Sequence, residues 1–329
     1  MNGLHKSFLS GMLMLSLISG GCANQAEVST VNAPALIQTT ASTTISTANA
    51  PTASVPCSRI AFTLFTNDSG QIYTACADGS ELTALTHDAA GHVQPDWSPD
   101  GEQIAYSADV NGAPQIFVMQ ADGSGDKQLT NDLANDLPVW LPDGKHMVFR
   151  TTDRKGLWWW RTIDLKNGQV SQYSQPSYDF FYPKPAWSSN GRYLAMMSLV
   201  EQAKRNDGAS QLHLKDLQNG TETALTHDTW TYLSPVFSPD SKQIAFFSDR
   251  DGTYNVYALY VTALDGSGMK RVSEPVYDES ATASWSPDGK EIIVSSDSAL
   301  RGTLIYDVET GASRSFLDGK NVSGTAWGK

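Results

Sequence analysis

The sequence lacks the signatures of several common enzyme classes. It has no Gly-x-Ser-x-Gly nucleophile elbow, and no glycine-rich phosphate loop that leads into a helix. Its three cysteines, Cys22, Cys57 and Cys76, form no recognisable Cys–His nucleophile arrangement. The net charge is −12 and no basic stripe stands out, which disfavours nucleic acid as a partner. Helical patterns are scarce throughout.

The chain also lacks an apolar run long enough to cross a bilayer stably. The run from Phe8 to Ile18 follows Lys6 and precedes Ser19-Gly20-Gly21-Cys22, which is typical of a secretory signal. We therefore expect residues 1–21 to be a signal peptide. Residues 22–56 are rich in Ser, Thr and Ala, carry almost no charge and have no aromatics, so we expect a disordered tether.

One unit organises the rest of the chain, from Pro95 to Thr130. Its apolar segments predict four short strands, separated by the turns Ser98-Pro99-Asp100-Gly101, Asp109-Val110-Asn111-Gly112 and Asp122-Gly123. A single unit of this kind cannot bury both of its faces. It therefore needs copies of itself on either side.

Two independent sequence markers each occur six times, at intervals of about 45 residues, which indicates six copies of the unit. The aromatic residue before the first turn recurs as Trp97, Trp140, Trp187, Phe237, Trp285 and Trp327. The last hairpin recurs as Asp78-Gly79, Asp122-Gly123, Asn167-Gly168, Asn219-Gly220, Asp265-Gly266 and Thr310-Gly311. Four strands per unit at this period predict an all-β fold, a six-bladed β-propeller of four-stranded blades over residues 57–329.

The first and last copies predict how the ring closes. The unit from Ser58 to Thr86 lacks the opening strand, while Ser323 to Trp327 looks like that strand with nothing after it. We expect the C-terminal strand to complete the first blade, which would remove both free edges. Whether Cys57 and Cys76 form a disulfide stays an open question, because a regular hairpin would not place the two residues directly opposite each other.

The crossings from each outer strand to the next inner strand form one mouth of the central channel. They carry residues that turns do not need, and aromatics there can bind a peptide or stack on a sugar ring. The predicted partner-binding residues are His92, Asp136, Phe180, Phe181, Tyr182, Trp230, Tyr232, Tyr277, Asp278 and Glu279. We expect no catalytic residue, no metal and no cofactor. A metal-dependent alternative would require His92, Asp136 and Glu279 to converge within ligand distance.

The repeated unit, W-S-P-D-G-x-x-I-A-Y followed by I-F-V-M-x-A-D-G-S and L-T, resembles the PD40 (WD40-like) repeat of the TolB family of periplasmic propellers. The resemblance covers residues 58–329 and is loosest around Leu141 and Ser188-Ser189-Asn190. It implies a protein or peptide partner at the channel mouth. We expect the tether to stand where the family has an α/β domain, so a direct role in the same envelope system does not follow.

The N-terminus resembles the lipobox of bacterial lipoproteins, in which Cys22 would be lipidated. Ser19 departs from the usual Leu, and an ordinary cleaved signal is the alternative. Ala23 after Cys22 would favour the outer membrane by the same resemblance. We thus expect a monomeric, envelope-tethered binding scaffold. A carbohydrate-binding or oligogalacturonate-lyase-like propeller, and an accessory lipoprotein without a pocket, remain the alternatives.

Overall fold

The computed structural model describes residues 57–66, 69–174, 184–199, 209–252, 255–275, 277–296 and 302–328. Within these ranges the chain forms 24 strands and no helix. In chain order the strands are β1 (Arg59–Thr66), β2 (Ser69–Cys76), β3 (Thr83–Ala84), β4 (His92–Trp97), β5 (Gln103–Val110), β6 (Ala113–Gln120), β7 (Lys127–Gln128), β8 (Ala134–Trp140), β9 (His146–Thr152), β10 (Trp158–Asp164), β11 (Val170–Gln172), β12 (Ala186–Trp187), β13 (Tyr193–Leu199), β14 (Ser210–Asp216), β15 (Glu222–Ala224), β16 (Tyr232–Phe237), β17 (Gln243–Ser248), β18 (Ala258–Ala263), β19 (Lys270–Arg271), β20 (Thr282–Trp285), β21 (Glu291–Ser295), β22 (Thr303–Asp307), β23 (Ser313–Phe316) and β24 (Val322–Trp327). In the described part of the chain, no helix has the length and apolar character needed to cross a membrane.

The strands form six antiparallel sheets of four, which confirms the predicted six-bladed propeller. Blades two to six are meanders of consecutive strands, beginning at β4, β8, β12, β16 and β20. Blade one has the order β24-β1-β2-β3. Ile60 pairs with Trp327 and Leu64 with Val322, so the predicted closure by the C-terminal strand is confirmed.

In blades two, four, five and six, the turn between the first and second strands has side chains that satisfy its own backbone. In blade two, the Ser98 hydroxyl donates to the Asp100 carboxylate (2.5 Å) and accepts the Gln103 N–H (2.9 Å). Gly101 takes the left-handed conformation, with φ of 76°, that the turn requires. The same arrangement recurs at Ser238 with Asp240, at Ser286 with Asp288 and, with asparagine, at Ser188 with Asn190.

A hydroxyl residue stands two positions after each outer strand of blades one to five. The hydroxyl oxygen accepts a backbone N–H from the third strand, where the short outer strand no longer supplies a carbonyl. The acceptor residues are Thr86, Thr130, Ser174, Thr226 and Ser273, at distances between 2.8 and 3.0 Å. The Leu-Thr signature of the repeat therefore closes the ladder.

The apolar core is divided into six clusters, one at each boundary between neighbouring blades. Between blades one and two, Ala61 and Ile72 pack with Ile104, Tyr106 and Met119. Burying a side chain of this size contributes about 1.5–3 kcal/mol. The blades are thus held mainly by side chains of their middle strands.

Blade three carries three consecutive tryptophans on β10. Trp158 and Trp160 are 6% and 5% exposed, whereas Trp159, which points to the other side, is half-buried. Val148, Trp158 and Trp160 form the core between blades three and four, with Trp187 packed against them. The interpretation of these residues as core is confirmed for Trp158 and Trp160.

Cys57 and Cys76 form a disulfide, with their Cα atoms 5.7 Å apart. Cys76 pairs with Arg59 in the β-ladder, so Cys57 lies before the strand and is not directly opposite Cys76. The neighbouring Ser58 hydroxyl donates to the Gly328 carbonyl (2.9 Å). The disulfide is thus formed from a position before the strand, which answers the question that the sequence left open.

Candidate functional site

The loops at the two ends of the strands define two faces of the propeller. In an antiparallel meander, the crossings between blades and the turns between second and third strands lie at the same end. We call this end the crossing face, and the end with the Ser-Pro-Asp-Gly turns and the Asp-Gly hairpins the turn face. Those predicted partner-binding residues that the structure describes belong to the crossing face.

A β-bulge shapes four of the six inner strands just below the crossing face. The pairing register shifts there, and the bulged residue takes a positive φ. These residues are Gln94 (φ 59°), Leu137 (51°), Ser234 (47°) and Gly324 (57°). In three of the strands a proline follows, which fits an edge position where no N–H is needed. In β24 the following residue is Thr325, whose N–H donates to the Ser295 hydroxyl (3.4 Å).

Side chains of the inner strands connect neighbouring blades. The Gln94 side-chain oxygen accepts the Leu137 N–H (3.0 Å), and the Asp96 carboxylate accepts the Trp140 N–H (2.8 Å). At the closure, Trp327 N–H donates to the Ser284 hydroxyl (2.8 Å) in the same way. Burial raises the pKa of Asp96 above its usual range, although the positive charge of Lys184 opposes the shift.

His92 is the first residue of β4 and is only 5% exposed. Its Nε2 lies 2.6 Å from the Asp88 carboxylate in the preceding loop. The ring packs beside Tyr106, with ring centroids 5.5 Å apart. The hydrogen bond with His92 is the main reason that the pKa of Asp88 is below its usual range. His92 therefore ties the crossing loop to the start of the inner strand.

Asp136 forms a two-pronged ion pair with Arg150 on the adjacent strand of blade three. The Arg150 Nε lies 2.7 Å from the Asp136 carboxylate, and both side chains are less than one-fifth exposed. The neighbouring Asn135 is fully buried and donates to Gln115 (3.1 Å). Asp136 is thus a fixed part of the mouth, with its charge balanced by Arg150.

Trp230 and Tyr232 lie where blade five begins. The Tyr232 ring is fully buried, and its hydroxyl donates to the Asp228 carboxylate (2.8 Å). Trp230 is half-buried and packs against the cluster between blades four and five. Its carbonyl accepts the Ser210 N–H (3.2 Å), and its N–H donates to Asp228 (3.3 Å). Of the two rings, that of Trp230 is the one that reaches the surface.

Tyr277, Asp278 and Glu279 follow the outer strand of blade five. Tyr277 is 3% exposed, and its hydroxyl lies 2.6 Å from that of Tyr306. The Asp278 carboxylate accepts the Ser280 N–H and the Ser296 hydroxyl, both at 2.9 Å. Glu279 is exposed. Tyr277 belongs to the core, and Asp278 closes a turn.

Four of the predicted residues lie outside the described residues: Phe180, Phe181, Tyr182 and the lipidation candidate Cys22. The partner-binding role of the whole set stays a prediction.

The residues of the metal-dependent alternative do not form a group in the described part of the chain. The group of three or more metal-binding side chains found there is Cys57, Cys76 and Glu81. Its two cysteines are joined in the disulfide. His92, Asp136 and Glu279 are not among its members.

Sequence reasoning missed the residues that anchor the crossing loops. The side-chain amide of Gln71 donates to the Ala90 carbonyl (2.8 Å), and that of Gln115 donates to the Leu133 carbonyl (2.8 Å). Both glutamines stand directly before the isoleucine of a third strand, at the same position of the repeat. A glutamine repeated inside apolar strands was the available signal. The recurrent proline before the inner-strand aromatic was the signal for the bulges.

Comparison with known proteins extends these observations. The family model of the TolB beta propeller domain matches residues 25–198 and 164–327. The crystal structure of TolB from Acinetobacter baumannii superposes with a TM-score of 0.68 at 20% identity, over 82% of this chain and 66% of that one. The structure of putative TolB from Agrobacterium tumefaciens gives a TM-score of 0.54 at 18% identity, over 70% of this chain and 87% of that one.

A curated relative is similar over a shorter stretch. The uncharacterized peptidase YuxL of Bacillus subtilis is 26% identical over 110 residues, which is 33% of this chain and 16% of the peptidase. The matched stretch thus covers less than two thirds of the length of this relative. The structural likenesses, at 20% identity or less, show the fold alone. Because the family model extends over nearly all of residues 25–327, the chain belongs to the TolB β-propeller family.

Proposed function

We propose that the propeller is a non-catalytic scaffold that binds a protein or peptide at the channel mouth on the crossing face. Trp230 is the observation that carries this proposal. Its backbone is fixed on both sides by hydrogen bonds, and its ring is half-buried at the surface. A rigid aromatic of this kind is typical of the residues that dominate binding energy in protein interfaces.

Other parts of the crossing face support a preorganised surface. The crossing loops are anchored by Gln71 and Gln115, and the Asp136–Arg150 pair is held in place. A surface that is ordered before binding loses less conformational entropy on association. The resemblance to the TolB family also favours a protein partner in the periplasm.

Affinity capture from envelope extracts tests the proposal. The bait is the full chain, compared with Trp230→Ala and with the control Leu82→Ala, which removes an apolar side chain that is 41% exposed. We expect one envelope protein to bind the wild type, and its affinity to fall at least about tenfold in Trp230→Ala but not in Leu82→Ala. Equal retention by all three, or by none, would overturn the proposal.

We further propose that the chain is anchored to the envelope through a lipid on Cys22. A membrane-fractionation experiment on the Cys22→Ser variant tests this point. The wild type is expected in the membrane fraction and the variant in the soluble periplasmic fraction. A wild type that is itself soluble would instead support an ordinary cleaved signal.

A further inference from the structure

The boundaries between blades one and two and between blades two and three are built on the same framework. Counted from the repeated motifs, five pairs of positions correspond. The pairs are Gln71 and Gln115, Asp88 and Asp132, His92 and Asn135, Tyr106 and Phe149, and Phe117 and Arg161. The two aspartates each stand two residues after the outer-strand threonine, and the glutamine amides anchor the crossing loops in the same way.

At the boundary between blades two and three, the polar side chains of these corresponding positions bond to one another and to their neighbours. The Gln115 side-chain oxygen accepts from the Thr130 hydroxyl (2.8 Å) and from Asn135 (3.1 Å). One oxygen of Asp132 accepts from Asn135 (2.9 Å), and the other accepts from Arg161 (2.6 Å). The Arg161 guanidinium lies over the Phe149 ring, 5.6 Å from its centroid. An internal arginine thus fills this boundary.

At the boundary between blades one and two the corresponding groups are left unsatisfied. The Gln71 side-chain oxygen and His92 Nδ1 are buried without a hydrogen-bond partner, in side chains that are 9% and 5% exposed. Both hydrogen bonds of the Asp88 carboxylate go to the same oxygen. Phe117 stands where the next boundary has Arg161. Buried polar groups without a protein partner are rare in native proteins, so these two atoms can accept a hydrogen bond from a further donor.

These groups line two clefts that flank Asp88. The smaller, of about 350 Å³, includes His92, Tyr106 and Asp126, and the larger, of about 450 Å³, includes Gln71. Neither cleft has a lysine or an arginine among its described lining residues. The Tyr106 hydroxyl donates to Asp126 (2.5 Å), so this carboxylate already acts as an acceptor. The clefts therefore offer two carboxylates, Asp88 and Asp126, and the basic side chains among their described lining residues are the histidines His87 and His92.

The next boundary shows which group fits such a place. We propose that the cleft between blades one and two binds the guanidinium group of an arginine side chain of another polypeptide, as Arg161 is bound between blades two and three. A guanidinium supplies several N–H donors and a permanent charge, and its charge-assisted bonds to a carboxylate are stronger than neutral ones. The site includes His92, which begins an inner strand at the channel mouth, but it lies in a different blade boundary from Trp230 and does not depend on that residue.

An NMR titration of the full chain with labelled methionine methyl groups tests the proposal. Met119 lines the smaller cleft and reports on it. The probe is N-acetyl-arginine methylamide, and the matched neutral probe is N-acetyl-citrulline methylamide. We expect the arginine probe to shift the Met119 signal and the citrulline probe to leave it unchanged. Equal shifts by both probes would overturn the proposal.

Two variants should weaken binding for opposite reasons. Asp88→Asn removes the charge but keeps an oxygen that can accept the Ala90 N–H, and Phe117→Arg supplies an internal guanidinium. Each should bind the arginine probe at least about tenfold more weakly than the wild type does. The control Glu102→Gln removes an exposed charge outside both clefts and should bind as the wild type does. Unchanged affinity in Asp88→Asn would contradict the assignment.

A third variant tests the template itself and does not require Asp88→Asn to fold. Arg161→Ala removes the internal guanidinium from the boundary between blades two and three. The arginine probe should then bind there as well, with a new shift of the Met147 signal from the core of that boundary. If the probe reaches neither boundary in this variant, the framework does not recognise guanidinium groups, and the proposal fails.

Discussion

The turn face and the crossing face of the propeller differ in how far their residues repeat from blade to blade. On the turn face, equivalent positions repeat the same chemistry, and all six hairpin glycines have positive φ. On the crossing face, one position of the repeat is His92, Asn135 or Tyr232 in three different blades. Each of these three bonds to the aspartate two residues after the outer-strand threonine, but through a different group: an imidazole, an amide or a phenol.

This difference separates the residues that build the fold from those that distinguish the blades. A turn that must reverse the chain in every blade has few solutions, so its residues repeat. A loop that enters the channel mouth has many solutions, so its residues are free to differ. Substitutions on the turn face should therefore change stability, while those on the crossing face should change stability less and binding more.

The largest effect is expected from the disulfide, which lies at the turn face. The double variant Cys57→Ser/Cys76→Ser should lower the free energy of unfolding by about 3 kcal/mol, because it releases a closed loop in the unfolded chain. Chemical denaturation measures this. A reducing agent should bring the wild type down to the level of the variant and leave the variant unaffected. Identical unfolding midpoints of wild type and variant under oxidising conditions would contradict the prediction.

The second effect compares two hairpin glycines of the turn face. Gly220 and Gly266 have φ of 77° and 79°, but only at Gly266 would a Cβ meet a backbone atom, the Leu225 carbonyl oxygen at 2.9 Å. We expect Gly220→Ala to cost about 1 kcal/mol from its left-handed conformation, and Gly266→Ala about 2–3 kcal/mol because a clash is added. Thermal and chemical unfolding of the two variants measure the difference. Equal costs would mean that the contact between neighbouring blades yields freely.

The third effect compares two crossing-face boundaries. Gln115→Leu removes a donor to the Leu133 carbonyl and the acceptor of Thr130 and Asn135. We expect a loss of about 2 kcal/mol in unfolding free energy. Gln71→Leu removes the bonds that the side-chain amide donates, and the oxygen that it also removes has no partner. The loss in unfolding free energy should therefore be about half as large. The reverse order would show that the two boundaries are not built alike.

The smallest effect concerns the pH dependence of stability. Because the pKa of Asp96 is raised in the folded state, its contribution to stability is fully present below the pKa of the unfolded chain. It is lost as the pH rises through the folded-state pKa. The Asp96→Asn variant, whose side-chain oxygen can still accept the Trp140 N–H, should thus be more stable than the wild type at pH 7. Denaturation at pH 7 and at decreasing pH should show the two curves converging.

The fold could be predicted from the sequence because its determinants are local and repeated. Six aromatics and six hairpins gave the blade count, and the leftover strand at Trp327 gave the closure. The disulfide could not be settled in this way. It depends on the path of Cys57 and Ser58 before the first strand, where Ser58 bonds to Gly328 at the other end of the propeller.

The sequence predicted where candidate residues lie along the strands but not the contacts that they make. The sequence placed His92 and Tyr232 near the channel mouth, and both begin inner strands there. Their burial and their bonds to Asp88 and Asp228 could not be predicted, because these depend on the path of the crossing loop. The cleft beside Asp88 could not be predicted either, because it depends on how the side-chain contacts differ between two blade boundaries.

The placement of β24 sets an order of completion for the ring during synthesis. Blades two to six consist of consecutive residues, so each can form as soon as its own segment of about 45 residues has emerged. Blade one must wait, since β1 emerges among the first strands and its inner partner β24 emerges last. Their pairing closes the longest loop of the fold and carries its largest closure entropy. A chain interrupted before Val322 would therefore keep the edge of β1 open to pairing with another molecule.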